Sequence, residues 1–241
     1  VASGEVDALV AERVWQETER ALAEPAPDAW LKLLHDCGAL ARIYPELEAL
    51  YGVPQPSRWH PEIDTGLHME LVLQAVADLT PVPRIRFAAL MHDLGKGRTP
   101  RSQWPTHRGH EERGVALLHG LASRLRVPGD YRELAELAAR WHGLANRAME
   151  LRPRTLLELL ESCDAMRRPD RFRELLLAFE ADYRGRGGWR LRPYPQAERL
   201  GRALTVALAT TLDDADRAGL PGEQIGVLLR RRRLAALRQM S

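Results

Sequence analysis

Residues 65–97 read TGLHMELVLQAVADLTPVPRIRFAALMHDLGKG, and their apolar spacing decides the fold class. Over 65–79, Leu71, Val72, Ala75, Val76 and Leu79 recur at intervals of three and four, the period of an α-helix with one buried face. After the break Pro81-Val82-Pro83 the same spacing resumes at Ile85, Ala88 and Met91, until Gly95 and Gly97 end it. His68 stands three residues before Leu71 and four before Val72, and His92 stands four after Ala88. Both histidines therefore share an apolar face. Asp93 follows His92 directly, and helix neighbours project about 100° apart, so one metal ion can sit between the two side chains, or the aspartate can bridge two ions.

Outward from this stretch the spacing stays helical. Helices are expected over 12–24, 29–36, 65–79, 84–94, 109–125, 130–144, 154–166, 170–182, 196–209 and 223–239, with Asp28 as the cap of the second and Gly38 as its stop. Alternating strand patterns are missing, so the expected fold is all-α. Residues 51–63, YGVPQPSRWHPEI, read as a loop, and 184–195, RGRGGWRLRPYP, as an irregular basic loop. Three regions are expected: helices over 1–50, a bundle over 51–182, and a basic loop with C-terminal helices over 183–241.

The balance of 45% hydrophobic and 28% charged residues in a chain of 241 is that of a globular protein and excludes wholesale disorder. No run of about 18 apolar residues occurs, so no membrane span is expected. The first twenty residues carry Glu5, Asp7, Glu12, Glu17 and Glu19 and do not read as a signal peptide. Cys37 and Cys163 form neither a disulfide framework nor a zinc-binding pair, which favours a reducing, cytoplasmic setting.

Of the 35 basic residues only Lys32 and Lys96 are lysines. From residue 182 onward twelve arginines face six acids. Such a tail suits a phosphate-rich partner, and it equally suits a solvated face in an arginine-rich composition. Within the basic loop, Arg184, Arg186 and Arg190 with Trp189 are candidate RNA contacts. The alternative is a loop that packs Trp189 onto the bundle.

More polar residues fall on inward faces. His110 begins the stripe Gly114, Leu117, Leu118, Leu121; His142 is four after Ala138; Asp164 is four after Leu160 and seven after Leu157. Any one of these also reads as a satisfied core residue. Burying several without partners costs kilocalories each, and a shared divalent ion removes that cost, because neutral imidazole and carboxylate are good ligands. The candidate ligands are His68, His92, Asp93, His110, His142 and Asp164. Lys96 is a candidate point charge for a substrate phosphate. His107 reads either as a support for a ligand or as surface, His60 as a residue fixing its loop, and His35 and His119 as ordinary helix residues.

His68, His92-Asp93 and Asp164 resemble the pattern of the HD-domain metal-dependent phosphohydrolases, with HDLGK among their common local forms. GHEERGVALL around His110 and RWHGL around His142 resemble the additional histidine elements of members that hold two metals. RIYPELEALYGVPQPSRWHPEIDTGLH, RFAALMHDLGKGRTP, WPTHRGHEERG, SCDAMRRP, EADYRGRGG and GEQIGVLLRRRRLAAL extend the likeness to the bacterial multifunctional CCA proteins, tRNA nucleotidyltransferases with an HD domain. The family's polymerase head has no counterpart here, so the resemblance implies a C-terminal portion, with 1–50 as part of the tRNA-binding neck and body. It implies 2′,3′-cyclic phosphodiesterase, 2′-nucleotidase and phosphatase activity, with Asp93 and Lys96 at the reaction centre. The implied cofactor is nickel or another divalent ion such as manganese or magnesium, and the implied substrate a tRNA 3′ end or a 2′,3′-cyclic phosphate. Two other readings stay open: a non-catalytic tRNA-docking module, and an HD enzyme for free nucleotides. The chain could be a monomer or a homodimer.

Overall fold

A computed structural model describes residues 9–240. Among them all regular structure is helical, and the only strand-like pairing is the single bridge between Pro54 and Asp64. In chain order the helices are α1 Ala11–Ala23, α2 Pro27–Asp36, α3 Leu40–Ile43, α4 Pro45–Glu48, α5 Thr65–Leu79, α6 Pro83–Met91, α7 His110–Leu125, α8 Gly129–Ala145, α9 Pro153–Ser162, α10 Pro169–Arg184, α11 Pro195–Ala209, α12 Asp214–Arg217 and α13 Gly222–Arg238. Short 3-10 turns occupy Leu94–Arg98, Arg101–Gln103 and Ala148–Glu150. The all-α expectation holds. Among the described residues no helix is long and apolar enough to cross a membrane.

Several starts follow from proline, whose fixed φ and missing N–H suit the first helical position. Pro27, Pro45, Pro83 and Pro153 each open a helix. Asp28 is therefore not the cap of α2; its carboxylate accepts a bond from Gln74 Nε2 at 2.8 Å. Asp64 does cap α5, accepting from Leu67 N at 3.0 Å and from Gly52 N at 2.6 Å.

The chain divides into two compact units, neither of which ends at residue 50 or 182. Of the described residues, the first contains 9–143 and 174–194. There α5 packs against α2 and α6, and α1 against α6 and α7. Every residue of α6 from Ile85 to Met91 is buried, as expected of a helix that is covered all round. Arg86 is the polar exception. Its guanidinium donates to Leu22 O, Glu24 O and Thr80 O at 2.6–2.7 Å, satisfying the free carbonyls at the ends of α1 and α5.

Close packing of α7 on the 94–98 turn requires glycine. A Cβ at Gly95 would stand 1.9 Å from His110 O. This contact holds the segment after Asp93 against the start of α7.

The second unit contains 144–173 and 195–240, with α11 packed against α9 and α13. Leu156, Leu157, Leu159 and Leu160 of α9 and Leu200, Ala203, Leu204 and Ala207 of α11 are buried. The arginine run of α13 is partly engaged: Arg230 reaches Glu161 at 2.9 Å, Arg232 pairs with Asp216, and Arg233 Nε donates to Ala207 O.

Candidate metal centre

Six side chains of the first unit converge: His68 from α5, His92 and Asp93 from the end of α6, His110 from the start of α7, His142 from α8 and Asp182 from α10. Their ligand atoms form overlapping sets, His68–His92–Asp93, His92–His142–Asp182 and Asp93–His110–His142. Five of the six expected ligands are brought together.

Asp164 is in none of these sets. Helix α9 stops at Ser162, and Asp164 takes a left-handed backbone (φ 52°) in the turn beyond it. Its carboxylate faces Arg167 and Arg168 at 3.8 and 3.9 Å. The helical spacing that put it on the face of Leu157 and Leu160 does not reach that far. Asp182, which the sequence reading missed, supplies the sixth group. It obeys the same rule, three residues after Phe179, four after Ala178 and seven after Leu175, all buried.

His92 and Asp93 are also placed differently from the helical expectation. Helix α6 ends at Met91, and Asp93 lies at φ −108°, ψ 9°, off the helix. The aspartate is thereby turned toward α7 and α8, with Oδ1 at 3.3 Å from His110 Nε2 and 3.5 Å from His142 Nε2.

The backbone sets the tautomers. His92 Nδ1 lies 2.7 Å from Ala89 O, His110 Nδ1 3.0 Å from His107 O, and His142 Nδ1 3.1 Å from both Ala138 O and Ala139 O. His68 Nδ1 lies 3.1 Å from Gly185 O and 3.0 Å from Glu62 Oε1. Carbonyl and carboxylate oxygens only accept, so each Nδ1 carries a proton, and each ring, while neutral, turns a bare Nε2 inward.

Those inward atoms are acceptors facing acceptors. His110 Nε2 and His142 Nε2 stand 3.2 Å apart, and His68 Nε2 stands 3.3 Å from Asp182 Oδ1. His92 Nε2 and Asp93 Oδ1 are buried without a hydrogen-bond partner among the described residues. Lone pairs gathered this closely repel unless a cation or protons lie between them. The donor set, imidazole nitrogen with carboxylate oxygen, fits a divalent ion.

Without a cation, a proton on His92 takes that place. Against the opposing effect of burial, the carboxylates of Asp93 and Asp182 push His92 up to about 10. Burial, helped by the charge on His92, pulls His142 down to about 3. Despite burial, His92 holds Asp93 and Asp182 well below the usual carboxylate range, and Lys96 adds to this at Asp93.

Around the ligands lies a supporting layer. Lys96 is buried, donating to Asp93 Oδ2 at 2.6 Å and to Gln55 Oε1 at 2.5 Å. Glu62, also missed by the sequence reading, receives His60 Nδ1 at 2.9 Å, His68 Nδ1 at 3.0 Å and Gly187 N at 2.9 Å. His60 thus fixes its loop, as expected. His107 is buried and supports a ligand: its Nε2 donates to Pro54 O while its own carbonyl orients His110. His35 faces Glu48 and His119 faces Glu136.

The candidate RNA contacts are largely engaged. Arg190 forks onto Asp78 at 2.6 and 2.8 Å, Arg184 pairs with Glu180 at 2.5 Å, and Arg186 lies against the rings of Tyr183 and Trp189. Trp189 packs on Tyr183, with ring centroids 5.0 Å apart.

Comparison with known proteins bears on this arrangement. The family model described as HD domain matches residues 65–217, and that described as probable RNA and SrmB-binding site of polymerase A matches 2–51. The chain is similar to the multifunctional CCA proteins of Thioalkalivibrio sulfidiphilus (56% identical over 240 residues), Nitrosococcus oceani (55% over 239) and Methylococcus capsulatus (52% over 241). The matches cover 99–100% of this chain and 57–59% of those proteins, so the chain spans less than two thirds of their length.

Proposed function

The chain belongs to the HD-domain family, and from that membership we propose that it is a metal-dependent phosphohydrolase that trims RNA 3′ ends. Its substrates are 2′,3′-cyclic phosphates and 2′-phosphates of tRNA-like RNA, within the CCA-end chemistry named by its relatives. One observation carries the reading. Buried imidazole nitrogens and carboxylate oxygens from five helices converge in overlapping sets, each close enough to share one ion.

His68, His92, Asp93, His110, His142 and Asp182 would hold the divalent ion or ions, with Asp93 common to two of the ligand sets. A divalent ion held there supplies Lewis-acid polarisation of a phosphoryl oxygen and a lowered pKa for water. The chain's own groups do the rest. Lys96 keeps one N–H beyond those given to Asp93 and Gln55, and directs it at charge developing on the phosphoryl oxygens. Gln55 has its amide Nε2 buried and unpartnered among the described residues; it both holds Lys96 and offers a second donor. A cytoplasmic setting accompanies this reading, consistent with two free cysteines.

The test is hydrolysis of 2′,3′-cyclic AMP by metal-stripped protein after addition of nickel, manganese or magnesium. Activity is expected with at least one ion, and it is expected to vanish in Asp93→Ala with helical circular dichroism retained. Full activity in that variant, or none with any ion, overturns the proposal. Competition by RNA ending in a cyclic phosphate separates this substrate class from free nucleotides.

A further inference from the structure

Between Asp93 and His110 the chain carries no carboxylate, yet it carries Lys96, Arg98, Arg101 and Arg108. Lys96 is committed inward. The three arginines are exposed, and no carboxylate among the described residues pairs with them. Elsewhere in the first unit Arg84, Arg124, Arg140, Arg184 and Arg190 rest on acids, while exposed Arg13, Arg42, Arg58 and Arg132 have no acid partner among the described residues and Arg192 lies over the Trp189 ring. This segment therefore carries three arginines without acid partners within fifteen residues of Asp93, whereas Arg184, Arg186 and Arg190 of the loop after α10 are engaged.

The segment also shapes a cleft of about 640 Å³, with Tyr51, Gly97, Arg98, Thr99, Arg101 and Trp104 in its walls. The Arg101 guanidinium lies 5.6 Å from the Trp104 ring centroid, and Trp104 Nε1 is fixed on Thr99 O at 3.1 Å. His107 ties the segment to Pro54, in the same loop that gives Gln55 to Lys96. One wall of the cleft thus begins immediately after Lys96, whose Nζ touches Asp93.

We propose that this cleft holds the unpaired RNA stretch leading to the reacting 3′ end. Arg98 and Arg101 take its phosphates, and the Arg101–Trp104 pair offers a flat face to an unstacked base. The inference rests on the RNA-end reading of the preceding subsection and says where the strand lies.

The test reads binding without catalysis. The full chain is titrated into a fluorescein-labelled single-stranded oligoribonucleotide ending in a 3′ hydroxyl, which leaves nothing to hydrolyse, and anisotropy is followed at several salt concentrations. R98A/R101A is expected to weaken binding at least tenfold and to lower the slope of log K against log salt by about 1.4, at about 0.7 per single-strand phosphate contact. The control R147A/R154A removes the same charge from arginines paired with Glu150 and Glu158, and is expected to bind as the parent does. Unchanged affinity and slope in R98A/R101A, or an equal loss in the control, overturns the inference. Failure of cyclic-phosphate hydrolysis leaves this readout intact, so the two proposals fail separately.

Discussion

His110 Nε2 and His142 Nε2 stand 3.2 Å apart, each bared by a backbone carbonyl that holds the opposite ring nitrogen. Two imidazole lone pairs at that distance call for a cation or a proton between them.

On the proposed reading Asp182, and not Asp164, completes the ligand set. Asp182→Asn should lower affinity for manganese or nickel by about 100-fold or more in calorimetric titration, since it removes a charged ligand. Asp164→Asn, which tolerates the left-handed backbone, should bind as the parent does. The opposite ranking would return the ligand role to Asp164.

Glu62 orients His68 through Nδ1. Glu62→Gln keeps the shape and loses the charge, and outer carboxylates of this kind are worth about 10- to 100-fold in metal affinity. A loss in that range is expected, together with a lower unfolding temperature in metal-free protein, because the amide NH2 meets the Gly187 N–H or the histidine donors. Unaltered affinity would show that the Gly185 carbonyl suffices.

Gly95 is needed for contact, not for flexibility. Gly95→Ala drives a methyl group against His110 O and Gly114 N. The backbone cannot yield as a side chain can, so destabilisation of about 3 kcal/mol or more is expected in urea unfolding, above the usual overpacking cost of about 1–3. A loss below about 1 kcal/mol would mean that the turn moves freely.

Arg86 closes two helix ends from inside the core. Arg86→Met preserves volume but strips the partners from the carbonyls of Leu22, Glu24 and Thr80. Each unsatisfied buried group costs about 1–3 kcal/mol, so a loss of at least about 3 kcal/mol is expected. A variant within about 1 kcal/mol of the parent would mean that water replaces the guanidinium.

The cysteines should react very differently. Burial pushes the Cys163 thiol up to about 12, while Cys37 is exposed. Mass spectrometry after brief iodoacetamide treatment should find one label, on Cys37, and two labels after unfolding. Prompt native labelling of Cys163 would show that α9 opens.

Much of this was legible in the residues. The recurrence of apolar positions places α5, α7, α8 and α11 within a residue or two of where they lie, because one buried stripe per helix is a local property of the chain. The inward histidines at 68, 92, 110 and 142 were readable for the same reason. Asp164 and Asp182 satisfied that rule equally. What separated them was where each helix stops: α9 ends before Asp164, whereas α10 runs through Asp182 to Arg184.

By itself, then, the order of residues determined the helical class, the faces that turn inward and a set of inward polar groups that a shared cation could satisfy. The tertiary structure alone decided which carboxylate meets the histidines, which nitrogen each ring presents, and which arginines remain free. These depend on chain ends, backbone carbonyls and acids far apart in sequence, such as Asp78 beneath Arg190. No periodicity carries that information, because it arises only when separate helices are packed together.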